Sequence, residues 1–275
     1  MVGTTGGGMT GGTTTGGGTT GGGTTGGGTT GTSGTGFIAA IQFTRGSDSI
    51  RLAGGSLTGG VPLSAAFTVE GVFRFPAPNT YGVLTSPPAG ANIWEEAASG
   101  TEDISVYLTS STGFGAFWTG SASSPGNGSN GGITGPTLPL NTWVHLAWVF
   151  DGAQERIYVN GALTSSVSLP GGYPPSVPSV NTALGYNSGR GDIPPSSGAV
   201  FDLACFRISS VARYSGASFA PPTSPWSPDA NTLLLINPSA ISGDPTAFAC
   251  PGSAGITATF AAGIGSATNP SWRSY

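Results

Sequence analysis

The sequence predicts an all-β protein, a sandwich of two antiparallel sheets that follows a Gly/Thr-rich N-terminal tail. From Phe37 onward, short runs of alternating apolar and polar residues are separated about every ten residues by clusters of Gly, Pro, Ser and Asn, as in strands joined by turns. No segment keeps the apolar period of about 3.6 residues that an amphipathic helix requires. The pair Asn160–Gly161 lies between two such runs and predicts a tight hairpin, because both turn residues must adopt positive φ.

Residues 1–36 form the tail, with an approximate five-residue repeat of the type GGGTT. Eighteen glycines and fourteen threonines leave this segment without large apolar side chains, so it cannot build a packed core of its own. A collagen helix is excluded because it needs glycine at every third position. A solvated linker and a segment ordered by neighbouring subunits both fit this composition. We expect the tail to anchor the chain to such subunits in a larger assembly.

The body of the sandwich is predicted for residues 37–240, and residues 241–275 are expected to pack on it as a C-terminal extension. Alternate residues from Phe67 to Phe75 share one side, which predicts a strand with one face in the core. Residues 142–151 are apolar on both sides apart from His145, as in a central strand covered on one face by the other sheet and on the other by loops. The full set of candidate strands is 37–44, 49–53, 66–75, 103–110, 113–120, 142–151, 155–161, 199–209 and 231–237.

The charge of the chain is low and its sign is slightly negative. Only 7% of the residues are charged, all eight basic residues are arginines, and twelve acidic residues outnumber them. Such a surface has no field that would gather phosphates, so a nucleic-acid partner is not expected. No apolar run is long enough for a membrane span, and the start MVGTTGGG lacks the basic and apolar regions of a secretion signal.

The order of the segments resembles the concanavalin A-like lectin/glucanase superfamily, and in particular its laminin-G-like jelly-roll domains. The segments that carry this resemblance are IQFTRGSDSIRL, FTVEGVFRF, LPLNTWVHLAWVFDGAQERIYVNGALTSS, ALGYNSG, AVFDLACFRISSVARYSGASFAPPTSPW and DANTLLLIN. The resemblance spans about residues 37–237 and implies a jelly roll of the type found in viral and phage structural proteins and bacterial surface proteins. Members of the superfamily bind sugars, bind proteins, hydrolyse glucans or serve as structural modules, so the fold alone does not select a function.

No catalytic residue is expected. Glucan-cleaving members carry paired carboxylates on one strand, in the pattern Glu-x-Asp-x-x-Glu, and this pattern does not occur here. The adjacent pairs Glu95–Glu96 and Glu102–Asp103 point to opposite faces of a strand and do not converge on one substrate. His145 is the only histidine and lies inside an apolar strand, which predicts a buried, hydrogen-bonded ring rather than a catalytic base.

Four aromatic residues lie in or beside Gly/Asn-rich loops and are the tentative sugar platforms: Trp94, Trp118, Tyr173 and Tyr186. Sugar faces stack on exposed aromatic rings beside amide and carboxylate partners. The alternative is that these rings cover sheet edges or contact a neighbouring subunit, since aromatic residues are also enriched in protein interfaces.

No cofactor is predicted, and a calcium ion is left open. The resemblance makes Asp103, Asp151 and Asp192 candidate calcium ligands, although no dense cluster of oxygen ligands occurs in the sequence. A zinc site of usual composition is not expected with a single histidine and scattered cysteines. Cys205 and Cys250 could form one disulfide or stay as two small buried thiols.

Two functions of different classes follow from these observations. The first is a non-enzymatic structural or attachment protein of a large extracellular particle, a virion capsid-decorating or fibre component whose jelly roll contacts proteins or glycans. The alternative is a secreted or cell-surface adhesin that binds carbohydrate. The expected location is the virion or the extracellular surface. A degraded glucanase is a third hypothesis, for which no turnover of laminarin-type substrates is expected.

Overall fold

The computed structural model describes residues 37, 39–44, 48–53, 66–76, 91–98, 101–108, 113–118, 133–168, 181–185, 199–243, 245, 247–252, 255–262 and 271–274, all within the unit Gly34–Tyr275. The strands in these ranges are β1 (Ala39–Phe43), β2 (Asp48–Ala53), β3 (Phe67–Arg74), β4 (Ala91–Ala98), β5 (Thr101–Leu108), β6 (Gly113–Trp118), β7 (Ile133–Thr137), β8 (Trp143–Phe150), β9 (Gln154–Val159), β10 (Ala162–Ser168), β11 (Asn181–Leu184), β12 (Phe201–Ser209), β13 (Thr232–Ile236), β14 (Ala247–Cys250), β15 (Ile256–Ala262) and β16 (Ser271–Ser274). One short 3-10 turn, Pro238–Ala240, is the only helical element of the described residues, and the all-β prediction is confirmed. None of these residues forms a helix long and apolar enough to cross a membrane.

The strands form two antiparallel sheets. Sheet A has the order β10-β9-β8-β3-β12-β1-β16, with β13 paired to β12 beside β1. Sheet B has the order β14-β15-β2-β11-β4-β5-β6-β7. Consecutive strands often lie apart or in different sheets, for example β1 in sheet A and β2 in sheet B. This arrangement is the jelly-roll sandwich that the sequence predicted.

The hydrophobic core lies between the two sheets. Sheet A contributes rings such as Phe67 and Trp148, whose centroids are 4.9 Å apart in an edge-to-face contact, and sheet B contributes Leu52. On β3 the alternate residues from Phe67 to Phe73 point into this core, as predicted. Gly71 lies on the same side, where any Cβ would meet the ring of Phe73, so the missing side chain makes room for that ring.

A long loop, residues 210–231, crosses the outward face of sheet A and is called the strap here. Tyr214 and Phe219 of the strap stack face to face at 3.5 Å over the outward side of β8 and β9. Both faces of β8 are therefore buried, which confirms the prediction of a central strand covered by the other sheet and by a loop. The strap also donates Phe219 N–H to Gly161 O (2.8 Å) and accepts Leu163 N–H at Ala217 O (2.9 Å). These bonds cover the start of the edge strand β10, where unpaired backbone groups would otherwise invite association.

The hairpin between β9 and β10 has the predicted turn. Asn160 has φ of 49° and Gly161 has φ of 78°, so both central residues are in the left-handed region. A Cβ at Gly161 would collide with the carbonyl oxygen of Phe219, so the close approach of the strap requires glycine as well. Turn geometry and strap docking thus depend on the same residue.

The C-terminal segment is part of both sheets. Strand β15 pairs with β2 in sheet B, and β16 pairs with β1 in sheet A, with Trp272 opposite Ile41. The predicted boundary at residue 240 divides a sandwich that continues to Ser274. The backbone hydrogen bonds of these late strands make them members of the sheets rather than an extension packed on their surface.

Candidate functional site

A buried network of polar side chains lies on the outward face of sheet A, under the strap. Glu70 of β3 is its centre: Oε1 accepts from Arg207 Nε at 2.8 Å, and Oε2 accepts from the Tyr214 hydroxyl at 2.8 Å. The ring of His145 contacts the same oxygen Oε2 through Nε2 at 3.0 Å. The guanidinium of Arg207 also lies 4.5 Å from the centre of the Trp226 ring. Glu70 is 1% exposed, so this carboxylate is enclosed by its partners.

The electrostatic state of Glu70 follows from these partners. Burial alone would raise the pKa of this carboxyl group, but hydrogen bonding to His145 and the positive charge of Arg207 hold the pKa below its usual value. Glu70 is therefore a charged residue that is saturated with donors. Both of its oxygens are occupied by these partners. Its hydrogen bond with Tyr214 holds the strap on the sheet.

His145 has the structural role that the sequence predicted. It is 3% exposed, its Nε2 lies against Glu70, and the edges of three strap rings surround it at centroid distances of 5.5 to 6.2 Å, namely Tyr214, Phe219 and Trp226. No substrate could reach a ring enclosed in this way. The prediction of a buried, hydrogen-bonded histidine is confirmed.

The two carboxylates on the outward face of sheet A, Glu70 and Asp202, do not form a hydrolytic pair. Asp202 accepts two bonds from Arg74, Nε at 2.8 Å and one terminal nitrogen at 2.6 Å. The register places Asp202 opposite Arg74 and Arg207 opposite Glu70, so the two carboxylates are separated by about 13 Å along the ladder. A retaining glycosidase needs about 5 Å between its two carboxyl groups. Both acids are matched to arginines instead.

A row of six residues, four of them polar, crosses sheet B through five neighbouring strand pairs. Register places these residues opposite one another in the order Thr259, Arg51, Ala183, Glu95, Ser105 and Phe117. Arg51 and Thr259 are exposed, whereas their neighbours Leu52 and Ala258 are buried in the core. Because opposite residues in an antiparallel sheet share a face, Arg51 and Thr259 mark the outward face of sheet B at this row, in which Ala183 is 1% exposed. We name it the sheet B row.

Trp94 is not the exposed sugar platform that its Gly/Asn-rich neighbouring sequence suggested. It is 0% exposed and its ring lies 6.4 Å from that of Phe206, inside the core between the sheets. The cause is an irregularity in β4, where the register shifts between Asn92 and Trp94 and the consecutive residues Ile93 and Trp94 both become buried. A ring without exposed area cannot stack on a sugar, so Trp94 is a core residue.

The other three predicted platforms lie at different places. Trp118 is on β6, where the register pairs it with Ile104 and so assigns the neighbouring residue, Phe117, to the sheet B row. Tyr173 and Tyr186 lie outside the described residues. Composition pointed to Trp118, but the pairing of β5 with β6 gives Phe117, and not Trp118, a place in the sheet B row.

The candidate metal ligands and the two cysteines are also separated in the fold. Among the described residues no three His, Cys, Asp or Glu side chains lie close enough to hold a metal ion. Asp151 accepts from the backbone of Ala153 and Gln154 and from Arg156, whereas Asp103 has only its backbone described and Asp192 is outside the described residues. Calcium binding therefore stays a prediction.

Cys205 and Cys250 are both free thiols buried in different hydrophobic clusters. Of the two alternatives left open by the sequence, the structure shows two small buried thiols and no disulfide between them. Burial raises the pKa of each thiol to about 12. Neither one has the thiolate character that a reactive cysteine needs.

Two antiparallel sheets packed face to face, with a strap across the outer side of sheet A, define a jelly-roll sandwich. The model of a laminin-G family, described as the concanavalin A-like lectin/glucanases superfamily, matches residues 44–215. The chain belongs to this family. No curated protein matches the sequence.

Solved structures show the same fold at low sequence identity. A candidate carbohydrate binding protein from Bacteroides ovatus superposes with a TM-score of 0.56 at 14% identity, covering 86% of this chain and 60% of that chain. The chain therefore spans less than two thirds of that protein. A heptameric SAP-like pentraxin from Limulus polyphemus (14% identity, 81% and 95% covered) and the CBM40 domain of a Ruminococcus gnavus sialidase (11%, 65% and 94%) both have TM-scores of 0.47, a more distant likeness.

Proposed function

We propose that this chain is a non-catalytic carbohydrate-binding module whose binding surface is the outward face of sheet B. The observation that carries the proposal is the sheet B row, in which exposed Arg51 and Thr259 lie in register with the positions of Glu95, Ser105 and Phe117. A guanidinium, hydroxyls, a carboxylate and an aromatic residue are the groups that hydrogen bond and stack on sugars. The corresponding face of sheet A is occupied by the strap, so it offers no such surface.

Two further observations support binding over hydrolysis. The described carboxylates Glu70 and Asp202 are each neutralised by an arginine and lie about 13 Å apart, which suits stability rather than glycoside cleavage. The structure also shares its fold with the candidate carbohydrate binding protein of Bacteroides ovatus. Both observations favour the lectin-like alternative that the sequence left open.

The test is a glycan array probed with the full chain and three variants. We expect Arg51→Ala and Phe117→Ala to lower binding at least tenfold, because each removes one contact of about 1.4 kcal/mol or more. Arg156→Ala is the matched control, since Arg156 lies in sheet A and pairs with Asp151. A chain that binds no glycan at all would refute the proposal, and equal loss in all three variants would show that the row is not the binding surface.

For the whole chain we further propose attachment to a larger extracellular particle, such as a virion, through the tail of residues 1–36. This proposal rests on the Gly/Thr repeat alone, because the tail lies outside the described residues. Purification from the native source tests it. Recovery of the chain only as a free monomer, and never in particles, would contradict it.

A further inference from the structure

Glu155 is a fully buried carboxylate on the inward face of sheet A. It is 0% exposed and belongs to β9, where Ile157 on the same side is part of the core. Its register partners are Phe150 of β8 and Val167 of β10, both apolar. Among the described residues, the indole of Trp148 is the one donor that acts on Glu155, and neither carboxylate oxygen forms a hydrogen bond of good geometry. A buried carboxylate with a single neutral donor is costly when charged, so this residue requires an explanation.

No positive charge faces Glu155 from the described strands packed against it. Strands β7 and β10 contain no titratable residue, and the only one in β8, His145, points to the outward face. On β9 itself, Arg156 lies on the opposite face and binds Asp151 and Gln154. Tyr158 also lies on that face, where its hydroxyl donates to Gly216 O. The surroundings of Glu155 therefore suit a neutral carboxylic acid.

We propose that Glu155 is a pH-sensitive element of the sandwich, which keeps the β9–β10 edge closed as the neutral acid and loosens that edge when it ionises. Strand β10 is the edge strand of sheet A, and its register is already irregular between Leu163 and Ser165. It is joined to the edge of sheet B by the bond from Ser165 Oγ to Thr134 O (2.6 Å). Charging an acid between these edges would favour entry of water there.

The direction of the effect follows from the protonation states. Burial raises the pKa of Glu155 from 4.5 to about 8, and the indole of Trp148 opposes this only in part. The folded chain therefore keeps a proton that the unfolded chain releases above pH 4.5. Stability from this proton is complete below about pH 4.5, falls as pH rises, and is lost by about pH 8. Across this window each pH unit should raise the unfolding constant about tenfold.

The experiment compares urea unfolding of the full chain and Glu155→Gln between pH 5 and pH 8. Glutamine keeps the shape and removes the ionisation. As pH rises, we therefore expect the unfolding constant of the unmutated chain to increase by about tenfold per pH unit relative to that of the variant. Glu70→Gln is the matched control, because Glu70 is buried but charged, and its ratio to the unmutated chain should not follow this slope. Parallel profiles for the unmutated chain and Glu155→Gln would overturn the proposal.

A second measurement observes the protonated carboxyl group directly in the unmutated chain. Infrared difference spectra of the unmutated chain between pH 6 and pH 9 should show a protonated carboxyl band that disappears as pH rises. The band should be missing in Glu155→Gln or, if that variant does not fold, in Glu155→Met. An unmutated chain without such a band, or a band that persists in the variant, would refute a neutral Glu155.

Discussion

The two faces of sheet A each bury a glutamate, and they treat it in opposite ways. On the outward face, Glu70 receives hydrogen bonds from Arg207 and Tyr214 and lies against His145. On the inward face, Glu155 lies opposite the apolar residue Phe150, and the Trp148 indole is the one donor among the described residues that acts on it. Burial is nearly complete at both residues, at 1% and 0% exposed. Burial alone therefore does not determine the charge of a carboxyl group in this fold.

The difference lies in what covers each face. The strap delivers Tyr214 and Arg213 to the outward face, so the desolvation of Glu70 is offset by nearby donors and charge. Strand β7 of sheet B, which packs against β9, carries no titratable residue that could offset the charge of Glu155. An outward face that is closed by a polar loop can hold a charged residue, whereas the core between two sheets favours the neutral acid.

The largest expected effect is the loss of the charge at Glu70. Glu70→Gln leaves the guanidinium of Arg207, which is 7% exposed, without its counter-charge in a buried site. We expect this change to lower the free energy of unfolding by about 3–5 kcal/mol at pH 7. Urea denaturation with a fixed slope measures it. A cost below about 1 kcal/mol would mean that the outward face tolerates an unpaired arginine, and the contrast with Glu155 would lose its basis.

A smaller effect separates charged from neutral hydrogen bonds under the strap. Tyr214 donates to the Glu70 carboxylate at 2.8 Å, and Tyr158 donates to the carbonyl of Gly216 at 2.9 Å. Because bonds to charged groups are stronger, Tyr214→Phe should cost about 1.5–3 kcal/mol and its control Tyr158→Phe about 0.5–1.5 kcal/mol. Thermal or urea unfolding of both variants gives the comparison. Equal costs would indicate that Glu70 is not charged in the folded protein.

Much of the fold could be predicted from the sequence, because the central strands contain large apolar side chains at regularly spaced positions. Strands β3 and β8 are of this kind. Two of the strands that pattern analysis missed have weak signals: β15 reads ITATFAA, and β16 has four residues and pairs with β1 at the other end of the chain. Small side chains give only a weak alternation of apolar and polar residues, and pairing between distant strands produces no pattern within either strand.

The sites were less predictable for the same reason. The donors of Glu70 are 137 residues (Arg207) and 144 residues (Tyr214) away in sequence, so no local motif announces them. The burial of Trp94 depends on a register shift, and the place of Phe117 in the sheet B row depends on the pairing of β6 with β5. Composition identifies which residue types can bind a sugar, but register decides which of them share a surface.

The smallest expected effect tests where the buried network of sheet A ends. Arg213 lies 3.8 Å from Glu70 and also forms two bonds with Asp229, whose side chain is 45% exposed. Hydrogen bonds from Arg213 hold the pKa of Asp229 well below its usual value, so any stability from this pair is present above about pH 3.8 and is lost as pH falls further.

Solvent screens an exposed pair. Asp229→Asn should therefore lower the free energy of unfolding by about 0–1 kcal/mol at pH 7 and by less at pH 3. Unfolding at the two pH values measures this. A cost as large as that of Tyr214→Phe would place Asp229 inside the network, and the charged region of the outward face would then extend to the surface of the strap.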